Sequence, residues 1–130
     1  IWKKLLWNIP FNGLSIAEGG KTTDQLLAQE PIVDRMRALM TEVMHAAIAR
    51  GYVLDKQLIE WNIERTRPMG PYRPSSLIDW QEGREVEIDA IWAEPYSRGI
   101  DAGVEMPQLK NLLETIRSRC EQDPATRMNG

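Results

Sequence analysis

Residues 2–12, "WKKLLWNIPFN", carry large apolar side chains at most positions and polar side chains at a spacing of four. At about 100° per residue, Lys4, Asn8 and Asn12 fall on one narrow stripe of a helix that is otherwise apolar. A helix that is apolar on its remaining faces is normally buried. The stretch therefore predicts a buried first helix with a single polar edge.

This polar stripe has two interpretations. If it faces a cavity, Lys4 loses hydration, and an ammonium group that loses hydration releases its proton more easily. Such a lysine suits general-acid chemistry. If the stripe faces bulk water, it is only the solvated edge of the helix, which is the more common arrangement for this spacing. Periodicity does not decide between the two.

The composition of the chain fits one globular domain. Its 130 residues are 42% hydrophobic and 27% charged, with a formal net charge of −3, and this length buries a core without disulfides or metals. A slightly acidic chain lacks the basic surface that nucleic acid or an anionic membrane needs. No apolar run approaches a bilayer span, and the single cysteine, Cys120, has no partner for a disulfide or a zinc pattern. We expect a cytoplasmic protein with no metal site and no nucleic-acid or membrane partner.

Helical spacing of apolar residues dominates the chain and strand-like alternation is nearly absent, so we predict an all-α, bundle-like domain over residues 1–130. The first helix should end near Ser15 and be interrupted or kinked at Pro10, which has no backbone N–H to donate. A long helix should open at Pro31 and stop at Gly51. Its apolar stripe consists of Ile32, Met36, Leu39, Val43 and Ala47. Further helices are expected at about 23–27, 55–66, 75–82, 85–93 with a bent continuation past Pro95, and from Pro107, before a frayed tail at 123–130.

Two stretches carry motif-like spacing. "IWKKLLWNIPFN" (1–12) fits a W-x-K-L-x-x-N-x-x-x-N pattern, and "PSSLIDWQEGREVEIDAI" (74–91) has a serine, an aspartate four residues later and a G-R-x-x-E-I-D run. Together they resemble the two signatures of the C-terminal domain of the ketopantoate reductase (2-dehydropantoate 2-reductase) family, and the resemblance covers essentially the whole chain. It implies a helical domain of the 6-phosphogluconate dehydrogenase C-terminal type, from an NADPH-dependent enzyme of pantothenate and coenzyme A biosynthesis.

The resemblance also implies that part of the protein is missing. The family's NADPH-binding Rossmann domain precedes the helical domain, and no G-x-G-x-x-G pattern occurs in this chain. The chain begins at Ile1, inside an apolar helical pattern with no capping residue ahead of it. We therefore expect a fragment that lacks its N-terminal Rossmann domain, binds little of the NADPH and is inactive alone.

The family's site residues carry over one at a time. Lys4 matches the catalytic lysine, which protonates the ketone oxygen while NADPH delivers hydride to the carbonyl carbon. Asn8 and Asn12 match amides that bind the substrate's oxygens, and Ser75 matches the serine that holds its carboxylate. Glu87 matches the acid that positions the lysine and the ribose of the cofactor. A placed ammonium stabilises and then protonates the developing alkoxide.

Ordinary structural roles stand beside these assignments. Ser75 is also a suitable helix N-cap, and Ser76 with Asp79 spells a capping box. Glu87 lies in an acidic run, which is usually a solvated face. His45 is interpreted as structural and Cys120 as a buried, inert thiol. The five tryptophans fit packing, with Trp7 and Trp80 as candidates to line a pocket.

Departures from the family pattern leave the substrate open. Ser75 is followed by Ser-Leu-Ile-Asp where the family often has Met-Leu-Gln-Asp, and "RPMGPYRP" (67–74) is unusually rich in proline. The expected substrate is thus 2-dehydropantoate or a related 2-oxo acid. The competing hypothesis is a noncatalytic helical interaction or dimerisation module. The two are compatible, because such a domain can form a homodimer.

Overall fold

The computed structural model describes residues 1–127, and within that range the regular structure is entirely helical. The α-helices are α1 (Trp2–Ala17), α2 (Thr23–Leu27), α3 (Glu30–Ala49), α4 (Gln57–Thr66), α5 (Ser75–Gln81), α6 (Glu94–Asp101) and α7 (Pro107–Cys120). A π-helical turn at Asp89–Ala93 leads into α6, and short 3-10 turns lie at Arg67–Met69 and Pro124–Arg127. The predicted all-α fold is confirmed. No helix in this range is both long and apolar enough to cross a membrane.

Helix α1 lies at the centre of the domain, where it packs against α3, α5 and α7. Its middle and C-terminal turns are buried, as its apolar faces predict. The predicted interruption at Pro10 is wrong, because the helix continues through the proline to Ala17. Proline removes one backbone hydrogen bond, and burial of the surrounding apolar side chains offsets that loss.

Gly13 allows neighbouring elements to approach α1 closely. A Cβ atom at this position would lie 2.7 Å from Cδ2 of Leu112 and 2.8 Å from Nε1 of Trp92. The buried Trp92 indole, in the π-helical turn, donates a hydrogen bond to the carbonyl oxygen of Ile9 at 3.0 Å. The side chains of Leu112 and Trp92 therefore pack directly against the backbone of α1.

Helix α3 is the long helix that the sequence predicts. Pro31 lies in its first turn, its apolar stripe is buried, and Gly51 follows with φ +94°, a conformation that favours glycine. Glu42, also buried, crosses to the start of α7, where its carboxylate accepts hydrogen bonds from the backbone N–H groups of Gln108 (2.8 Å) and Leu109 (2.9 Å). A carboxylate at a helix N-terminus satisfies free donors and complements the helix dipole. The contact fixes α7 to α3.

Two local predictions are wrong. The helix expected from Glu85 begins only after a non-helical segment at 84–87, because Gly83 (φ +76°) turns the chain and Arg84 folds back onto Asp79 and Glu82. The tail expected to fray from 123 instead forms a turn through Arg127. That side chain is 6% exposed and donates to the carbonyl oxygens of Trp80, Cys120 and Gln122. The rest of the predicted tail, 128–130, lies outside the described residues.

Candidate active site

The polar stripe of α1 runs from the core to the surface. Asn12 is 2% exposed, Asn8 is half-buried and Lys4 is exposed. Trp2 and Leu6, on the opposite side of the first turns of α1, are buried, so Lys4 is on the outer side of the helix. Of the two interpretations of the stripe, the solvated edge holds for Lys4 within the described residues, and its place in a cavity stays a prediction. The ammonium group is therefore accessible from outside the domain.

Asn12 joins the stripe to the start of α5. Its Oδ1 accepts a hydrogen bond from the backbone N–H of Ser76 at 2.8 Å, and its Nδ2 donates to Oδ1 of Asn8 at 3.4 Å. A buried amide requires such partners, since an unpaired polar group is costly away from water. These bonds fix the orientation of the Asn12 amide. Asn8 takes part in them through its amide oxygen, so its amide nitrogen is not used in this network.

Ser75 is the first residue of α5 and is exposed, whereas Ser76 is buried. Pro74 occupies the N-cap position, and neither serine caps the helix through its side chain. The alternative readings of Ser75 as an N-cap and of Ser76 with Asp79 as a capping box are wrong, because both serines lie inside the helix. Asp79 instead pairs with Arg84 at 3.1 Å.

Glu87 lies in the non-helical segment at 84–87, with its side chain exposed. Within residues 1–127 no ion pair joins it to Lys4. It lines an open cleft of about 780 Å³, together with Arg117, Cys120 and Arg127. Arg84, at the edge of this segment, stays charged, because hydrogen bonds with Glu82 and then Asp79 raise its pKa above the ordinary value.

The structure thus brings together some of the expected site residues. Asn8, Asn12 and the start of α5 beside Ser75 are joined by hydrogen bonds. Lys4 lies one helical turn from Asn8, on the same face of α1. Glu87 is exposed on a different segment and does not contact this group through an ion pair. Its place beside Lys4 stays a prediction.

The remaining candidates have simpler roles. Trp80 is buried, and its indole donates to the carbonyl oxygen of Arg119, so it belongs to the core. Cys120 is half-buried, and burial raises the pKa of its thiol, with Arg127 opposing the shift. His45 is exposed on α3. Among the described residues, no group of three or more His, Cys, Asp or Glu side chains is arranged to hold a metal ion.

Comparison with known proteins identifies the family. Residues 1–119 match the family model described as "Ketopantoate reductase PanE/ApbA C terminal". A 2-dehydropantoate 2-reductase of Nostoc sp. is 36% identical over 116 residues, which cover 89% of this chain and 36% of that protein. One from Mesorhizobium japonicum is 30% identical over 120 residues, covering 90% of this chain and 35% of the relative.

A solved structure agrees with this match. The 2-dehydropantoate 2-reductase of Geobacter metallireducens superposes with a TM-score of 0.86 at 35% identity, over 90% of this chain and 39% of that one. The chain thus spans little more than a third of the length of these relatives. Its fold, its matched residues and its sequence identity all agree. The chain belongs to the ketopantoate reductase family, as its C-terminal helical domain.

Proposed function

We propose that this chain forms the substrate side of an NADPH-dependent reductase, which converts 2-dehydropantoate or a related 2-oxo acid to the 2-hydroxy acid. The observation that carries the proposal is the bond between Asn12 and Ser76, since it holds the polar stripe of α1 against the helix that begins at Ser75. The relatives named 2-dehydropantoate 2-reductase support the reaction class. The intact enzyme would then act in the cytoplasm, in pantothenate and coenzyme A biosynthesis.

Lys4 is the proposed general acid. Reduction of a ketone places negative charge on its oxygen, and an ammonium group within reach stabilises that charge and supplies the proton. Its exposure in this domain suits a site that lies between two domains, where the substrate and the second domain would cover it. Lys4 then donates its proton from Nζ to the keto oxygen.

Asn8 and Asn12 are the proposed orienting amides. The amide of Asn12 is already committed to Ser76 and Asn8, so its main contribution is to position the others. Asn8 is half-buried, and the structure gives its Nδ2 group no protein partner among the described residues. That donor is free to bind a substrate oxygen without competing for the proton.

Ser75 and Glu87 complete the proposed site. The Ser75 hydroxyl is exposed beside the end of the amide network and is suited to donate to a carboxylate. Glu87 presents an exposed carboxylate from a segment that Arg84 fixes through Asp79. We propose that it accepts a hydrogen bond from Lys4 or from a ribose hydroxyl once the second domain is in place.

The described residues fit only the edge of a nicotinamide cofactor. They contain neither a strand nor the glycine-rich turn that binds a pyrophosphate. Glu87 is the residue of this chain that would hold the cofactor, at its ribose. When bound, the cofactor supplies the hydride for the carbonyl carbon. We therefore propose that an N-terminal Rossmann domain holds most of the NADPH.

The proposal is tested by NADPH oxidation with 2-dehydropantoate in the full-length protein. Lys4→Ala should lower kcat about a hundredfold or more, the usual contribution of a placed general acid. Lys3→Ala is the matched control, because Lys3 is an exposed lysine on a different face of the same turn. Equal rates for the two variants would remove Lys4 from the mechanism.

A second variant separates substrate binding from chemistry. Ser75→Ala should raise KM for the 2-oxo acid with little change in kcat, as expected for lost ground-state binding. Unchanged KM and kcat would instead leave Ser75 as an ordinary residue of the first helical turn.

A helical interaction or dimerisation module is the second candidate. Apolar side chains are exposed near the end of α3, where Ile48 (50%), Tyr52 (56%) and Val53 (95%) face outward. Sedimentation equilibrium of the wild type and of Val53→Asp would test it. A dimer that the substitution dissociates would support an interface there, and a monomer at all concentrations would exclude self-association.

A further inference from the structure

Arg127 joins the C-terminal ends of two helices. Its Nη1 atom donates a hydrogen bond to the carbonyl oxygen of Trp80, in the last turn of α5, at 3.0 Å. Its Nη2 atom donates to the carbonyl oxygen of Cys120, the last residue of α7, at 2.7 Å. The last carbonyl groups of a helix have no donor within the helix and carry the negative end of its dipole. The guanidinium group therefore caps α5 and α7 together.

Further contacts fix the same side chain. It is buried, and its Nε and Nη2 atoms donate to the carbonyl oxygen of Gln122 at 3.1 and 2.6 Å. The guanidinium carbon lies 5.5 Å from the centre of the Trp80 ring, and the Trp80 indole donates to the carbonyl oxygen of Arg119 at 3.0 Å. A planar guanidinium makes such a set of bonds in one fixed geometry, which an ammonium group does not reproduce. The end of α5 is thus held against the end of α7.

The segment 84–87 leaves α5 at the carbonyl group that Arg127 binds. The carbonyl oxygen of Trp80 also accepts a hydrogen bond from the N–H of Gly83 at 3.3 Å, and Gly83 turns the chain away from the helix. A Cβ atom at Gly83 would lie 3.4 Å from Cβ of Pro124, so the turn that carries Arg127 packs against this glycine. Arg127 therefore fixes the point from which the segment departs.

Glu87 lies between that point and the π-helical turn. On the upstream side, the N–H of Arg84 donates to the carbonyl oxygen of Asp79 at 2.8 Å, and the Arg84 side chain pairs with Asp79 and Glu82. On the downstream side, the carbonyl oxygen of Glu87 accepts a hydrogen bond from the N–H of Ile91 at 3.2 Å. The upstream bonds all go to α5 and its C-cap residue, so the position of Glu87 depends on where the end of α5 is held.

Arg127 and Glu87 line the same open cleft of about 780 Å³. Among the described residues, the hydrogen bonds of Arg127 go to backbone carbonyl oxygens, so its contribution there is to place the backbone. The turn Pro124–Arg127 lies beyond residues 1–119, which match the family model. The family match therefore does not assign a role to this contact.

We propose that Arg127 is a positioning residue that holds Glu87 in place for the reaction, through the end of α5 and the segment 84–87. The inference rests on the proposed function, in which Glu87 accepts a hydrogen bond from Lys4 or from a ribose hydroxyl. Such a bond requires the acceptor within a narrow range of distance and angle. A displacement of about 1 Å at a reacting group lowers the rate by up to about a hundredfold. Arg127 itself contacts neither the substrate nor the cofactor in this account.

The test is a double-mutant cycle in the full-length protein, with NADPH and 2-dehydropantoate as substrates. Arg127→Met should lower kcat/KM about tenfold or more, because the carboxylate of Glu87 is then misplaced. In the Glu87→Ala background the same substitution should lower kcat/KM by less than about twofold, because no carboxylate remains to be positioned. A general effect on folding would instead lower both proteins by the same factor.

Two further variants complete the test. Arg117→Met is the matched control, because Arg117 is an exposed arginine of α7 that lines the same cleft and does not touch α5 through a hydrogen bond among the described residues. It should leave kcat/KM unchanged. Arg127→Lys keeps the cation but not the planar fork, so it should recover only part of the rate. If circular dichroism shows that Arg127→Met does not fold, the cycle is measured with Arg127→Lys.

Two results would overturn the inference, and they differ in what else they affect. If Glu87→Ala is slow but the Arg127 variant is as fast as Arg117→Met, or slows the Glu87→Ala protein as much as the wild type, Arg127 does not act through Glu87. The proposed function then stands. If Glu87→Ala is as fast as the wild type, the proposed role of Glu87 fails and the role of Arg127 fails with it.

Discussion

Asn12 on α1 accepts a hydrogen bond from the backbone N–H of Ser76 on α5, at 2.8 Å, in a buried position. This contact satisfies one of the free donors at the start of α5, whose own N-cap residue, Pro74, has no side-chain acceptor. It also sets the distance between the polar stripe of α1 and Ser75. Stability and the geometry of the proposed site thus depend on the same amide.

Replacing Asn12 should therefore be costly. Asn12→Ala leaves a buried N–H group unpaired and opens a small cavity, and the expected loss is about 1–3 kcal/mol of unfolding free energy. Asn8→Ala is the control, because Asn8 is half-buried and makes only a 3.4 Å contact. Urea denaturation of this chain measures both. Equal stability of the two variants would mean that the Asn12 to Ser76 bond contributes nothing.

Glu42 should stabilise the start of α7 as a cap supplied from α3. Glu42→Ala removes both acceptors for Gln108 and Leu109 and is expected to cost about 1–2 kcal/mol. Glu114→Ala, an exposed position on α7 itself, should change stability by less than about 0.5 kcal/mol. Thermal unfolding followed by circular dichroism compares the two. A Glu42 variant as stable as the Glu114 variant would exclude the capping role.

Cys120 should react slowly with alkylating reagents. Burial raises the pKa of its thiol, and the thiolate is the reactive form, so a raised pKa leaves less of it at a given pH. At about pH 8, near the ordinary thiol pKa, iodoacetamide should modify native Cys120 more slowly than N-acetylcysteine. The difference should disappear in concentrated guanidinium chloride. Native reactivity equal to that of the free thiol would contradict the assignment of Cys120 as inert.

The helices that the sequence predicts best are those with a continuous apolar stripe and clear end signals. Helix α3 has both, with Pro31 in its first turn and Gly51 beyond its end, and its boundaries are close to the prediction. Helix α7 likewise begins at Pro107 as expected. Local rules suffice for such elements because the same residues specify the helix and its buried face.

The errors arise where contacts distant in sequence decide the outcome. The helix through Pro10 persists because α3, α5 and α7 cover it, and the segment after Gly83 stays non-helical because Arg84 pairs with Asp79 and Glu82. Arg127 is buried, and its guanidinium group donates to the carbonyl oxygens of Trp80, Cys120 and Gln122. Neither propensity nor periodicity contains this information.

The candidate site, like the fold, can be predicted from the sequence only in part. The α1 stripe and the serine of α5 were recognisable from motif spacing, but the bond between Asn12 and Ser76 joins residues 64 positions apart and has no local signal. The exposure of Lys4 depends on which faces of α1 find partners.

The central claim is that Lys4 acts on a ligand held between the α1 stripe and the start of α5. The most direct test is a crystal structure of the full-length protein with a nicotinamide cofactor and a 2-oxo acid bound. The account predicts Nζ of Lys4 within about 3 Å of the keto oxygen and the Ser75 hydroxyl at the carboxylate. A ligand bound elsewhere, with Lys4 facing bulk water, would contradict it.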